Sequence, residues 1–142
     1  MGRDRALVAD SATAAGDPVS ASINLDLPYP PSVNRYWRHV LIGKRAAVLL
    51  SREAREFKAR VGEICALARV QPIEGPVFVR LVAYRPRKIG DLDGVLKGTL
   101  DALQGFAFKN DSQIVRILAE RRDDKERPRV EVSVLEEIAE QA

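Results

Sequence analysis

Residues 76–84 constrain this chain more than any other stretch, because both faces of the strand they predict are largely apolar. Val77, Val79, Leu81 and Ala83 alternate there with Phe78, Arg80, Val82 and Tyr84. Such a strand fits the centre of a sheet covered on two sides. The period then changes. Over 91–103, Leu92, Val95, Leu96, Thr99, Leu100 and Leu103 gather on one side of a helix, while Asp93, Lys97 and Asp101 recur at i, i+4 and i+8 on the other.

The rest of the chain supplies partners for these two elements. Ile23, Leu25 and Leu27 alternate with Asn24 and Asp26, predicting a half-buried strand that stops where Pro28, Pro30 and Pro31 remove backbone donors. Residues 38–49 read as a small hairpin around Gly43-Lys44, with Val40 and Ile42 on one arm and Ala47, Val48 and Leu49 on the other. Ser51 is a good N-cap for a helix over 51–70, whose stripe is Ala54, Phe57, Val61, Ile64 and Ala68, and which Pro72 and Gly75 end. Two strands follow the second helix, over 112–121 and 129–135, joined by the polar turn 123–128. The order β, hairpin, α, β, α, β, β predicts an α+β domain, two main helices packed on a small mixed β-sheet.

Residues 1–20, rich in Ala, Ser, Gly and Asp without a period, read as a flexible leader ahead of a single domain over 21–142. No apolar run approaches the roughly 20 residues that span a bilayer, and no signal-type stretch follows the first residues, so the expected location is cytoplasmic. One cysteine, Cys65, and one histidine, His39, exclude an internal disulfide and leave little for a zinc site. Any metal would be held by oxygen, which favours Mg²⁺ or Mn²⁺. The two ends of the chain hold two of its 23 basic and seven of its 20 acidic groups; residues 21–130 therefore carry 21 against 13, a net of +8. Basic clusters at Arg35, Arg38 and His39, at Arg52 to Arg60, and at Arg85, Arg87 and Lys88 can neutralise phosphates, or can simply be a solvated surface.

Acids set in that basic segment invite two readings. Asp91 can cap the helix and Asp93 can complement its dipole, with Asp93, Lys97 and Asp101 forming surface ion pairs worth a few tenths of a kcal/mol each. Alternatively, Asp91, Asp93 and Asp111 converge on divalent ions that clamp a scissile phosphate, with Lys97 one turn from Asp93 offsetting charge there.

The ordered set Pro30-Pro31-Ser32-Val33-Asn34-Arg35-Tyr36-Trp37-Arg38-His39, Asp91-Leu92-Asp93 with Lys97, Asp101-Ala102-Leu103, and Asn110-Asp111 before an apolar strand resembles the RusA family of Holliday junction resolvases. The resemblance runs from about residue 27 to 134. It implies a Mg²⁺-dependent endodeoxyribonuclease, acting as a homodimer without a small-molecule cofactor, that resolves four-way DNA junctions in recombination and repair by paired symmetric nicks leaving 5′-phosphates. It also implies that Asp91, Asp93 and Asp111 are metal-binding catalytic carboxylates and that Lys97 is the catalytic lysine. The chain departs from the family at Gly94, a position usually Asn, and at Asn110, often Asp. Gly94 costs about 1 kcal/mol of helix propensity relative to Ala.

Candidate DNA contacts are Asn34, Arg35, Arg38, Arg85, Arg87 and Lys88, which could otherwise be turn or surface residues. Tyr36 and Trp37 could stack on a junction base but more often would pack, and Phe106 and Phe108 read as core or dimer contacts. His39 reads as a hydrogen-bond partner of phosphate or backbone, and Cys65 as an inert small hydrophobe. Two rival functions share this surface: a DNA-binding protein without catalysis, and a metal nuclease acting on flaps or single strands.

Overall fold

The computed structural model describes residues 21–86 and 91–137. The leader expected over 1–20 lies outside the described residues, as do Arg87, Lys88 and the side chains of Asn34 and Trp37.

Strand β1 (Ser22–Leu27) is followed by a one-turn helix α1 (Val33–Tyr36), the hairpin β2 (Trp37–Ile42) and β3 (Arg45–Leu50), and helix α2 (Arg52–Leu67). Then come β4 (Val77–Arg85), helix α3 (Leu92–Leu103), a 3₁₀ turn (Asp111–Gln113), β5 (Ile114–Asp123) and β6 (Arg129–Glu136). The main sheet has the order β1-β6-β4-β5, and the hairpin is a sheet of its own. β4 pairs antiparallel with β6 and parallel with β5, so the sheet is mixed and the fold is α+β, as the element order predicts.

The doubly apolar strand is central. On its inner face Val79 lies beside Val134, Leu81 beside Val132 and Ala83 beside Val130, and β1 continues the layer with Leu25 and Leu27. These residues are buried in one cluster with Ala54, Phe57, Val61 and Cys65 of α2 and Val95, Ala102 and Leu103 of α3. Burial pushes the Cys65 thiol up to about 11, which keeps it neutral and unreactive as expected. The outer face of β4 differs from the expectation of a second covering layer. Guanidinium groups cover it instead: Arg116 stands 4.0 Å from the Phe78 ring centre, and Arg129 stands 3.8 Å from that of Tyr84. The long stems of arginine shield apolar rings while their heads stay wet, which lets an open face carry an apolar pattern.

Three local departures have physical causes. Helix α2 ends at Leu67, short of residue 70, because Arg69 takes a left-handed φ of 55° and the last turn closes in a Schellman arrangement. Its two bonds run from Arg69 N–H to the Ala66 carbonyl (3.1 Å) and from Val70 N–H to the Cys65 carbonyl (3.0 Å). In α3 the buried stripe turns toward Gly98 and Ala102, leaving Leu92, Leu96 and Leu100 half-buried, because the Tyr36 ring fills the space above Gly98. A Cβ at Gly98 would stand 3.3 Å from Tyr36 Cε2, so this helix face needs a small residue. Finally, β5 and β6 are joined by the polar turn yet are not neighbours, since β4 lies between them.

Tyr36 and Phe108 are both buried, in agreement with their packing readings, whereas Phe106 is partly exposed over Gly62. The hairpin leaves Leu41, Ile42, Val48 and Leu49 in solvent. No described helix is long and apolar enough to cross a membrane.

Candidate active site

Helix α3 carries three of the four expected catalytic groups, and the loop beyond it carries the fourth. Asp91 sits at the N-cap position with extended backbone (φ −93°, ψ 134°), and Asp93 lies in the first turn. An N-cap aspartate ordinarily accepts a hydrogen bond from an amide of the first turn. Asp91 makes no such bond, so capping does not consume its carboxylate. The ion-pair ladder of the other reading is also missing. Asp101 pairs with Lys58 of α2, at 3.3 Å, and accepts a 2.9 Å hydrogen bond from the Tyr36 hydroxyl. Among the described residues, Asp91, Asp93, Lys97 and Asp111 make no ion pair with one another or with any other side chain, and all four are exposed.

Asp111 is held by its backbone. Its N–H donates to Gln104 Oε1 at 3.1 Å, fixing the loop to the C-terminal end of α3. Asn110 and Gln113 form a reciprocal capping box around it: Asn110 Oδ1 accepts from Ser112 N–H, and Gln113 Oε1 accepts from Asn110 N–H at 2.9 Å. Gln113 Nε2 then donates to the Ile73 and Gly75 carbonyls at 2.8 and 2.7 Å. The loop is therefore clamped at several points by contacts that, among the described residues, do not use the Asp111 carboxylate.

A cleft of about 570 Å³ runs between the polar side of α3 and strand β5. Its helical wall is Gly94, Lys97, Gly98, Asp101 and Gln104, and its far wall includes Asp111, Ile114 and Ile117. Gly94 contributes no side chain to this wall. Tyr36 forms the floor; burial, and then the hydrogen bond to Asp101, raises its phenol above the ordinary value, so it stays protonated and donating. The cleft thus joins Lys97 and Asp111, while Asp91 and Asp93 stand at the opposite end of α3 from Gln104.

The donor set suits a hard divalent cation in kind, since it is all carboxylate oxygen. Among the described residues, however, no three carboxylate, histidine or cysteine side chains form a group that could hold an ion. Among the described residues, Asp91, Asp93 and Asp111 are not assembled as a closed cage.

Of the expected DNA contacts, Arg35 and Arg38 are exposed, with Arg35 close to Glu53 at 3.5 Å. Arg85 is otherwise engaged: it is buried at the end of β4, and its Nη2 and Nε contact Asp123 Oδ1 at 3.0 and 3.1 Å. A buried guanidinium already paired with a carboxylate ties β4 to β5 and is poorly placed to meet a phosphate. His39 is exposed on the hairpin. The sequence reading missed Gln104, Gln113 and the Tyr36–Asp101–Lys58 contact. The capping box was visible as Asn110-Asp111-Ser112-Gln113, whereas Gln104 and Lys58 gave no signal.

Residues 28–135 match the family described as endodeoxyribonuclease RusA. The crossover junction endodeoxyribonuclease RusA of Escherichia coli strain K12 is 34% identical over 95 residues, covering 65% of this chain and 76% of that protein. The protein of the same name from Enterobacteria phage 82 is 33% identical over 95 residues, with the same coverage. A third, from Escherichia coli O139:H28, is 32% identical over 94 residues, 65% of this chain and 75% of its own length. The match spans every element from α1 to β5, together with the cleft and all four candidate catalytic groups, and the chain belongs to the RusA family of endodeoxyribonucleases.

Proposed function

We propose that this endonuclease resolves four-way DNA junctions in recombination and repair, cutting paired strands with Mg²⁺, or Mn²⁺, as cofactor. The observation that carries this reading is a set of three aspartates and a lysine that are exposed and unspent within the described fold, on a chain segment of net +8. Structural acids would be capping or pairing. These do neither.

Asp91, Asp93 and Asp111 would hold the ion, which when bound supplies Lewis-acid stabilisation of phosphate charge. The chain's own contribution is positional. Lys97 projects its ammonium into the cleft, where it offsets negative charge that builds on the phosphate oxygens as water attacks. The water oxygen bonds to phosphorus in line with the departing 3′ oxygen, the P–O3′ bond breaks, and the 3′ oxygen gains the proton. The products are a 5′-phosphate and a 3′-hydroxyl. Exposed Arg35 and Arg38, with Arg87 and Lys88, supply phosphate contacts that release counterions. With one set of these four residues per chain, two nicks related by the junction's symmetry call for a homodimer. The expected place of action is the cytoplasm.

Substrate class is tested by direct competition. In Mg²⁺, with a four-way junction, a flap and a linear duplex offered together, the junction is expected to be nicked at least about tenfold faster than either, a difference of roughly 1.4 kcal/mol in transition-state binding. Preferential cutting of the flap would replace the junction reading with that of a flap nuclease.

A further inference from the structure

Helix α3 surrounds its own lysine with acids. Asp93 and Asp101 stand one turn before and one turn after Lys97, and side chains four apart on a helix are neighbours, with about 5–6 Å between their Cβ atoms. Either carboxylate could capture the ammonium. Asp93 is engaged by the ion in the reading above, but Asp101 has no place among those ligands and still lines the same cleft as Lys97. A loose carboxylate there would pair with the lysine and repel the phosphate that the lysine has to meet.

Two residues from outside α3 take up Asp101 instead. The Tyr36 hydroxyl donates to Asp101 Oδ2 at 2.9 Å, and Lys58 Nζ reaches the same oxygen at 3.3 Å. Tyr36 closes α1 and Lys58 lies on α2, so the carboxylate is drawn away from the axis of its own helix. The tyrosine is a firm anchor. Its ring is 3% exposed and packs over Gly98, the residue after Lys97, so the hydroxyl is presented from a fixed base. Burial raises this phenol above its ordinary value and keeps it a donor at working pH. Lys97, by contrast, is exposed and makes no ion pair among the described residues.

We propose that Lys58 and Tyr36 are positioning residues for Lys97: by holding the Asp101 carboxylate toward α1 and α2, they keep it from pairing along α3 and leave the Lys97 ammonium to the phosphate. The inference rests on the reading of Lys97 given above and adds the groups that keep it available. Lys58 also neutralises Asp101, so the acid does not set a bare negative charge in the cleft. The pair is partly exposed, 36% and 37%, and pairs of that kind add little to stability. Its removal is therefore expected to leave the fold intact.

The test is release and rescue in the full-length chain, with Lys58→Met and Tyr36→Phe made alone and each combined with Asp101→Asn. One readout is single-turnover nicking of a four-way junction in Mg²⁺. The other, without DNA, is acetylation of Lys97 by limiting acetic anhydride, read by peptide mass, since an ammonium held by a carboxylate deprotonates less readily and acylates more slowly. K58M is expected to nick at least about fivefold slower than wild type and to acetylate Lys97 about twofold slower, with junction affinity in Ca²⁺ within about threefold. Y36F, which keeps the ring on Gly98 and leaves Lys58 in place, is expected to shift both readouts the same way by less. Asparagine at 101 removes the competing charge and still accepts from the Tyr36 hydroxyl, so each double variant is expected to regain both readouts to within about twofold of wild type. Contacts that merely bolted α1, α2 and α3 together would not be repaired by removing another member. Circular dichroism confirms the fold of every variant. Wild-type acetylation of Lys97 in K58M, or a K58M/D101N chain that nicks as slowly as K58M, would overturn the inference. Lys97 reactivity lost in K58M and regained in K58M/D101N, in a protein whose wild type never nicks a junction, keeps the restraint and overturns the junction reading instead.

Discussion

Asp111→Asn is expected to lower the single-turnover nicking rate on a four-way junction by at least about 10²-fold, roughly 3 kcal/mol of transition-state stabilisation. Junction affinity, measured by gel shift in Ca²⁺ or without metal, is expected to change by less than about threefold. The separation follows from the structure. Asp111 is held through its backbone N–H by Gln104 and by the Asn110–Gln113 capping box, so the loop does not depend on its carboxylate. Asparagine keeps the volume and removes one negative charge, and with it the oxygen that a hard cation prefers. Asp93→Asn is expected to behave alike. A carboxylate that only capped or solvated the fold would leave the rate within a few-fold, so near-normal nicking by either variant would remove that residue from the site.

The second large effect is one of stability. Phe108→Ala is expected to destabilise the protein by about 3–5 kcal/mol, since it deletes a fully buried ring from a loop that lacks regular structure of its own. The loss lowers Tm by on the order of 10 °C, measured by calorimetry or circular dichroism. Phe108 is the keystone of the segment between α3 and the 3₁₀ turn: its carbonyl accepts from Gly105 N–H at 2.7 Å, and the Ala107 carbonyl beside it accepts from Ile73 N–H at 2.8 Å. Loosening this anchor also frees the Asp111 loop. Nicking in the variant is therefore expected to fall even at temperatures where the fold persists. Phe106→Ala, by contrast, removes a ring that is partly exposed, and its cost is expected to be smaller.

Much of this molecule is written in short-range pattern. The two apolar faces of residues 77–85 require a central strand, Gly43-Lys44 turns the hairpin, and Ser51 caps α2 through the Ala54 amide at 3.0 Å. The four catalytic candidates were legible as an ordered motif. Pairing partners were not, because periodicity reports which face of a strand is buried and not which strand lies beside it; hence β4 between β5 and β6 came only from the structure. The role of Arg85 was equally hidden. In sequence it joins Arg87 and Lys88 in a basic run, and only the parallel register of β4 with β5 brings Asp123 alongside it. Arg69 shows a third limit: a Schellman end usually signals itself by glycine, and an arginine in the left-handed region carries no such mark. The Gln113 clamp links residues 38 and 40 apart in sequence, beyond the reach of any local pattern.

If exposed carboxylates of this fold bring a divalent ion to bear on branched DNA, strand-specific mapping of nicks on an end-labelled four-way junction under single-turnover conditions, with Mg²⁺ and then with excess chelator, will show it. The predicted result is a pair of nicks at symmetrical positions in opposed strands, bearing 5′-phosphates, that disappears in chelator and returns when Mg²⁺ is added back. Cutting that persists in chelator, or a junction that is bound in Mg²⁺ yet never nicked, would overturn metal-dependent junction resolution by this chain.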